Sequence, residues 1–265
     1  METRPTRAAL AAWAAAVVFF LWFPLVLICL YAFNSSNIQS WPIAGFTLHW
    51  FSVAWHDTEA RSALWLSLEA ALLATSVALV LGTMAAFAVS RFRFFGRDVV
   101  SFLVVLPIAL PGVITGIALA SFFSFGAITF SLWTIVVGHA TFCIVVVYNN
   151  VAARLRRTQT SLMEASMDLG ADGWQTFRFV TFPVVSTALI SGALLAFALS
   201  FDEVIVTTFT AGAQNTLPLW IFGNIRLGQQ LPEVNAVVFV IIAATVIPVT
   251  IAQRLTSDTG ILRRT

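Results

Sequence analysis

The stretch "EASMDLGADGWQTFRFVTFP", Glu164–Pro183, is polar and mixed in character, yet it lies between two long apolar runs. It belongs to a segment over residues 154–182 that opens with Arg154, Arg156 and Arg157. Because unpaired polar chain is not tolerated in lipid hydrocarbon, this segment marks a loop outside the membrane. It therefore fixes where the flanking apolar runs enter and leave the bilayer.

The composition of the chain indicates a membrane protein. The 265 residues are 59% hydrophobic and 10% charged, whereas soluble domains carry about 25% charged residues. A soluble fold with so few charges would expose large apolar patches. Both cysteines, Cys29 and Cys143, fall within apolar runs, so we expect buried apolar side chains rather than a disulfide or a metal site.

Apolar runs of spanning length predict an all-α protein with six transmembrane helices. A spanning helix needs about 20 mostly apolar residues. The first run follows Arg4 and Arg7 like a signal peptide, but it is too long and lacks a cleavage site, so we expect it to be retained. The six runs cover residues 12–33, 62–90, 99–125, 131–152, 183–208 and 235–254.

The distribution of basic residues predicts the orientation. All 14 basic residues are arginine. With the N-terminus in the cytoplasm, only Arg61 and Arg226 lie outside, as the positive-inside rule favours. Both termini and the loop over residues 154–182 are then cytoplasmic. Without lysine the chain cannot form a Walker A loop, so ATP and Mg, if used, are bound by another polypeptide.

Local chemistry predicts two short helices in the cytoplasmic loop. Ser161 and Glu164 have the spacing of a capping box, and Gly170 is a natural C-cap. A second short helix is expected from Trp174, and Pro183 suits the first turn of the fifth span. A helix of about nine residues is marginal in water, so the first needs a partner surface. Its own helix bundle could supply that surface, with Glu164 serving only the capping box.

The spacing of the loop resembles the signature of permease subunits in ABC importers. That signature is Glu-Ala-Ala, three residues, Gly, nine residues and Ile-x-Leu-Pro. Here Glu164–Ser166, Gly170 and Val180–Pro183 match it, with Ser, Val and Phe as departures. The resemblance implies that the first short helix couples this chain to an ATPase subunit. The expected coupling residues are Ser161, Glu164, Ala165, Ser166, Asp168, Leu169, Gly170 and Ala171.

Four further segments resemble permeases of the spermidine/putrescine type. They are "AFNSSN" (32–37), "LPIALPG" (106–112), "GHATFC" (138–143) and "SFDEVIVTTFTAG" (200–212). The resemblance implies a type I ABC importer permease fold in the bacterial inner membrane. It also implies a second permease subunit, two ATPase subunits and an extracytoplasmic binding protein as partners, with no cofactor in this chain and no nucleic acid.

Ionisable groups within the apolar runs are candidates for the substrate pathway. Glu69, Asp202 and Glu203 lie inside or at the outer ends of predicted spans, where ionisable groups usually face a cavity. Carboxylates there would suit the ammonium groups of a polyamine. Tyr148 and Trp220 could add cation–π contacts. Glu69 could instead be an interfacial carboxylate that reaches solvent.

Other polar and helix-breaking residues leave two interpretations open. His139 could line the pathway or form a hydrogen bond between helices. Pro107 and Pro111 predict a kinked third span, which either lines the pathway or packs as a bent helix. The resembling permeases have an acidic residue where this chain has Gly112. The substrate could therefore be a smaller amine, or an amino-acid-like or opine-like compound.

Two other function classes compete with the importer. An ion-driven carrier working alone would use the intramembrane acids to carry protons. An intramembrane enzyme would need a catalytic motif, and the chain contains neither HExxH nor Gly-x-Ser-x-Gly. We therefore expect no catalytic residue in this chain.

Overall fold

The computed structural model describes residues 4–228 and 230–261, and helices account for most of them. In chain order the helices are α1 (Arg4–Tyr31), α2 (His49–His56), α3 (Thr58–Arg91), α4 (Arg97–Ala109), α5 (Gly112–Phe125), α6 (Leu132–Arg157), α7 (Ser161–Asp168), α8 (Gly173–Thr176), α9 (Phe182–Phe201), α10 (Ile205–Thr210), α11 (Leu217–Leu227) and α12 (Leu231–Ile261). A π-helical turn, Phe177–Thr181, joins α8 to α9.

The apolar helices follow the order of the predicted spans. Within the described residues, α1, α3, α6 and the stretch Gly173–Phe201 are each long and apolar enough to cross a membrane. The bent pair α4 and α5 passes the same test when its two helices are taken together, and α12 has a shorter apolar stretch over Leu231–Val246. The predicted all-helical membrane fold is confirmed. The chain ends that were predicted to be cytoplasmic, residues 1–3 and 262–265, lie outside the described residues.

The chain divides into two compact units, of which the first runs to Arg61 and resumes at Ile221. In this unit α12 packs against α1 and α2. The rings of Phe33, Phe51 and Phe239 meet with centroid separations of 5.1 to 5.6 Å. Aromatic side chains therefore join α12 to α2 and to the end of α1.

The second unit, Ser62–Trp220, is built around α6. Helix α6 packs mainly on α9 and also on α4 and α10. A Cβ at Gly82 of α3 would lie 2.8 Å from the backbone oxygen of Ile144 in α6. Close approach through small residues is how helices associate in membranes, where lipid is as apolar as the side chains.

The third predicted span is broken rather than kinked. Helices α4 and α5 meet at 106°, and Leu110 between them is extended, with ψ of 141°. The ring of Pro111 causes this, because it disfavours a helical conformation in the preceding residue. Pro107, by contrast, stays inside α4.

The fifth predicted span is also interrupted. Its second part, α10, packs on α5, the second part of the broken third span. Helix α9 ends at Phe201, and α10 begins at Ile205. Helix α5 packs on α10, with Gly112 facing Ile205 and Gly116 facing Phe209. Glycine at these positions allows the second halves of two broken spans to meet.

Candidate functional site

Helix α7 lies between the arginine-rich end of α6 and the start of α8. The predicted capping box of Ser161 and Glu164 is wrong, because Ser161 is already helical and Thr160 occupies the N-cap with no side-chain cap hydrogen bond. A capping box does start α8, where Asp172 accepts from the Gln175 backbone at 2.8 Å and the Gln175 side chain accepts from the Asp172 backbone. The separate second helix that was expected from Trp174 instead continues through the π-helical turn into α9.

The other end of α7 matches the prediction. Gly170 has φ of +89°, a left-handed conformation that favours glycine. The Ala171 N–H donates to the Ser166 carbonyl at 3.1 Å, and the Gly170 N–H donates to Met167 at 2.9 Å. These are the two hydrogen bonds of a Schellman motif, so Gly170 ends α7 and reverses the chain.

Two side-chain contacts attach α7 to its own unit. Met163 is buried, and the guanidinium of Arg91, at the end of α3, contacts its sulfur atom. On the same helix the Ser166 hydroxyl lies 3.1 Å from the hydroxyl of buried Thr176 in α8. One face of α7 is thus held against α3 and α8.

The apolar side chains that flank this held face of α7 are exposed. Leu162 and Met167 are each 51% exposed, and Leu169 is 89% exposed. Trp174 on α8 is 65% exposed. The flanking arginines predict that α7 lies outside the hydrocarbon, where lipid would not cover Leu162, Met167 and Leu169. A group of exposed apolar side chains on a polar segment indicates a protein interface.

The two neighbouring acids between α9 and α10 have different environments. Asp202, at the C-cap of α9, is exposed. Glu203 is partly buried, and its carboxylate accepts from the Val206 N–H at 2.9 Å in the first turn of α10. Glu203 therefore helps to start α10, and Asp202 is the freer of the two carboxylates.

His139 joins three helices through a chain of hydrogen bonds. Its Nδ1 lies 2.8 Å from the Ser200 hydroxyl of α9, and its Nε2 lies 2.8 Å from the Thr207 hydroxyl of α10. The Thr207 hydroxyl donates to the Glu203 carbonyl at 2.6 Å, so it must accept from Nε2. Nε2 therefore carries a proton, and in a neutral ring Nδ1 then accepts from the Ser200 hydroxyl. Of its two interpretations, the geometry favours the helix–helix hydrogen bond.

The remaining pathway candidates are dispersed. Glu69 is exposed on α3, and Trp220 is buried in α11. Tyr148 is buried, and its hydroxyl lies 2.6 Å from Ser101 Oγ. It is nine residues beyond His139 on α6, or about 13 Å along the helix. Asp202 and Glu203 are neighbours in the chain, and the roles of all five residues stay predictions.

Sequence reasoning missed buried polar groups at the start of α12. Glu233 is 3% exposed, and its carboxyl group contacts that of Asp57. Asn235 is 7% exposed, and its side-chain nitrogen has no partner among the described residues. Both belong to the first unit. The sequence feature that could have revealed them is the presence of two polar residues, Glu233 and Asn235, at the start of the sixth apolar run.

Comparison with known proteins identifies the family. Residues 78–257 match the family model for the inner membrane component of binding-protein-dependent transport systems, and this region includes α7. The chain belongs to this family. The suspected resemblance to spermidine/putrescine-type permeases is confirmed by two relatives from Escherichia coli strain K12. The putrescine transport system permease protein PotI is 37% identical over 85% of this chain and 82% of its own length. The spermidine/putrescine transport system permease protein PotC is 30% identical over 92% of each chain.

Two further matches extend the picture of this inner membrane component. A putative 2-aminoethylphosphonate transport system permease protein, PhnV of Salmonella paratyphi A, is 29% identical over 97% of both chains. A solved bacterial ABC transporter involved in import of the polysaccharide alginate has a TM-score of 0.73 and covers 96% of this chain and 98% of its own. At 16% identity it shows the fold alone, which is that of a type I ABC importer permease.

Proposed function

We propose that this chain is a permease subunit of an ATP-driven importer for polyamine-type substrates. The observation that carries the proposal is the exposed apolar face of α7 within a chain of this family. A separate ATPase subunit docks on that face, and its closure on ATP moves α7. Because Arg91 contacts Met163 and Thr176 contacts Ser166, the movement passes directly to α3 and α8.

The proposed importer contains more than this chain. A second permease subunit completes the pathway, two ATPase subunits bind ATP and Mg, and an extracytoplasmic binding protein delivers the substrate. The family description itself names a dependence on a binding protein. The absence of lysine from the chain agrees with nucleotide binding elsewhere.

The proposed substrate follows from the relatives together with the exposed acids. PotI and PotC are named for putrescine and spermidine. Asp202 and Glu69 are exposed carboxylates within apolar runs, which suits the ammonium groups of such compounds. At the break between α4 and α5, Gly112 packs on Ile205 and provides no carboxylate. This favours a smaller amine as the substrate.

A second candidate substrate is 2-aminoethylphosphonate, which PhnV is named for. Uptake of labelled putrescine distinguishes the two in cells that lack their own polyamine importers and express this chain with its partner subunits. We expect uptake that excess spermidine suppresses and excess 2-aminoethylphosphonate does not. Suppression by 2-aminoethylphosphonate alone would contradict the polyamine assignment.

The same assay tests the coupling role of α7. Leu169→Asp places a charge on the most exposed apolar residue of α7, and burying a leucine contributes about 1.5–3 kcal/mol. We expect uptake to fall by about tenfold or more. The matched control is Leu48→Asp, which changes a leucine that is 69% exposed before α2. Equal uptake by the two variants, at equal membrane levels, would contradict coupling through α7.

A further inference from the structure

A cavity at the arginine-rich end of the second unit is lined by positive charge, unlike the acidic residues proposed for the substrate pathway. It has a volume of about 290 Å³ and lies between the end of α3, the start of α4 and the end of α6. Its lining includes Arg97, Arg156, Ser101 and Tyr148. Two guanidinium groups are donors suited to an anion, as is the one hydroxyl hydrogen that the Ser101–Tyr148 pair leaves free, whereas an ammonium group would be repelled.

One of these donors is buried without an acceptor. The Nε of Arg97 is inaccessible to solvent and has no hydrogen-bond partner. Neither Arg97 nor Arg156 forms an ion pair within the described part of the chain. A charged group with a buried donor that lacks an acceptor is costly, so an anion bound to the part of the Arg97 guanidinium that lines the cavity would stabilise this arrangement.

The start of α4 contributes a further positive end. Its N-cap is Gly96, which has no side chain to cap the helix, and Arg97 is the first helical residue. The first N–H groups of a helix attract anions, phosphate in particular. Asp98 also lines the cavity and is exposed. Its single negative charge opposes two arginines and a helix N-terminus, so the cavity still favours an anion.

The surroundings of the cavity are suited to lipid. A second cavity, of about 720 Å³, shares Arg97 and Asp98 with the first and is lined by Phe94 and Phe95. Along α4, Val99 is 59% and Phe102 is 64% exposed. Acyl chains could therefore lie along α4 while a headgroup phosphate reaches the arginines.

We propose that the cavity formed by Arg97, Arg156, Ser101 and Tyr148 binds the phosphate group of an anionic phospholipid of the cytoplasmic leaflet. Basic pockets between spanning helices on the cytoplasmic side are suited to such headgroups. The phosphate accepts hydrogen bonds from the guanidinium groups of Arg97 and Arg156, and it faces the N-terminus of α4. The bound lipid would fix the start of α4 against the ends of α3 and α6.

The test uses the full chain purified in mild detergent, stripped of lipid and titrated with phosphatidylglycerol or phosphatidylcholine. Native mass spectrometry counts the retained lipids. We expect preferential retention of phosphatidylglycerol, and a loss of affinity of about tenfold or more in the double variant Arg97→Gln with Arg156→Gln. The matched control, Arg157→Gln with Arg178→Gln, removes the same charge from exposed arginines that line neither cavity.

Equal loss of phosphatidylglycerol from the two double variants would overturn the proposal. If the cavity variant does not fold, Arg156→Gln alone serves, because Arg156 is exposed in the last turn of α6. The affinity of the Arg156→Gln variant for phosphatidylglycerol must then be lower than that of the Arg157→Gln variant. Competition with inorganic phosphate distinguishes the two sources of a phosphate group. Failure to displace the lipid supports a phospholipid, and displacement at equimolar phosphate would overturn it in favour of a soluble anion.

Discussion

His139 illustrates how one residue can serve packing inside the membrane. Its ring accepts from Ser200 and donates to Thr207, and Thr207 in turn donates to the carbonyl of Glu203. This chain links α6 to both sides of the break between α9 and α10. The break therefore has a defined geometry although three residues between the helices are not helical.

Replacing His139 should destabilise the protein. His139→Leu leaves the buried hydroxyls of Ser200 and Thr207 without the ring, and an unsatisfied buried polar group costs about 1–3 kcal/mol. We expect a lower melting temperature in detergent. The control Thr208→Val removes an exposed hydroxyl that bonds only to its own helix, at Val204, and should change the melting temperature little.

A second substitution in the same network separates hydrogen bonding from cavity formation. Ser200→Ala should be destabilising in the wild type and nearly neutral beside His139→Leu, because the ring that its hydroxyl served is then absent. Additive losses in the double variant would contradict the proposed network.

At the residue scale, the sequence identified which polar residues are unusual but not what they contact. Asp202 and Glu203 are equivalent in the sequence, yet only Glu203 accepts from the first turn of α10. That difference depends on a helix break that hydrophobicity does not reveal. Arg97 was predicted only as a cytoplasmic charge, and its buried Nε depends on packing among α3, α4 and α6.

At the scale of helices, glycine and proline signals were the most informative. Gly170 ends α7 as predicted, because only glycine adopts φ of +89° at little cost. Pro111 marked the third span correctly as irregular, although the break is sharper than a kink. The capping box was misplaced, since Ser-x-x-Glu occurs within α7 while Asp172 and Gln175 form the actual box of α8.

The end of α7 should be sensitive to a single methyl group. Gly170→Ala meets no atom within 4 Å, but the backbone has φ of +89°. A left-handed residue other than glycine costs about 1–2 kcal/mol. We expect the chain to retain less ATPase on purification, because the orientation of α7 changes.

Gly173→Ala is the matched control for that prediction. Gly173 also has no atom within 4 Å of an added Cβ, and its φ is not positive. The two variants thus add the same methyl group and differ only in backbone conformation. If Gly170→Ala retains as much ATPase as Gly173→Ala, the conformation of Gly170 does not matter for coupling.

At the scale of the whole molecule, the sequence predicted the all-helical membrane fold and the order of its apolar helices, and the orientation stays a prediction. Those features follow from the length of apolar runs and the placement of arginines, which are local properties of the chain. The division into two compact units and the packing of α5 on α10 were not predicted. They depend on contacts between segments far apart in sequence, such as Gly116 with Phe209.

The surface of the chain indicates a protein that works in lipid and with partners. No part of the most apolar stretch of α1 is buried, and Trp13 and Phe20 are 73% and 76% exposed. Exposed apolar side chains within a span are expected to face lipid. The exposed apolar side chains of α7 are predicted to lie outside the lipid. We therefore assign the surface of α7 to the ATPase.

The most direct test of the central proposal is a crosslink from α7. A photoreactive phenylalanine analogue replaces Leu169 in the assembled transporter, and mass spectrometry identifies the captured chain. The control position is Phe125, which is 95% exposed at the end of α5 and is predicted to lie on the opposite side of the membrane. The account predicts that position 169 captures an ATPase subunit and that position 125 does not. Capture of no ATPase from position 169, in a complex that still hydrolyses ATP and imports substrate, would contradict it.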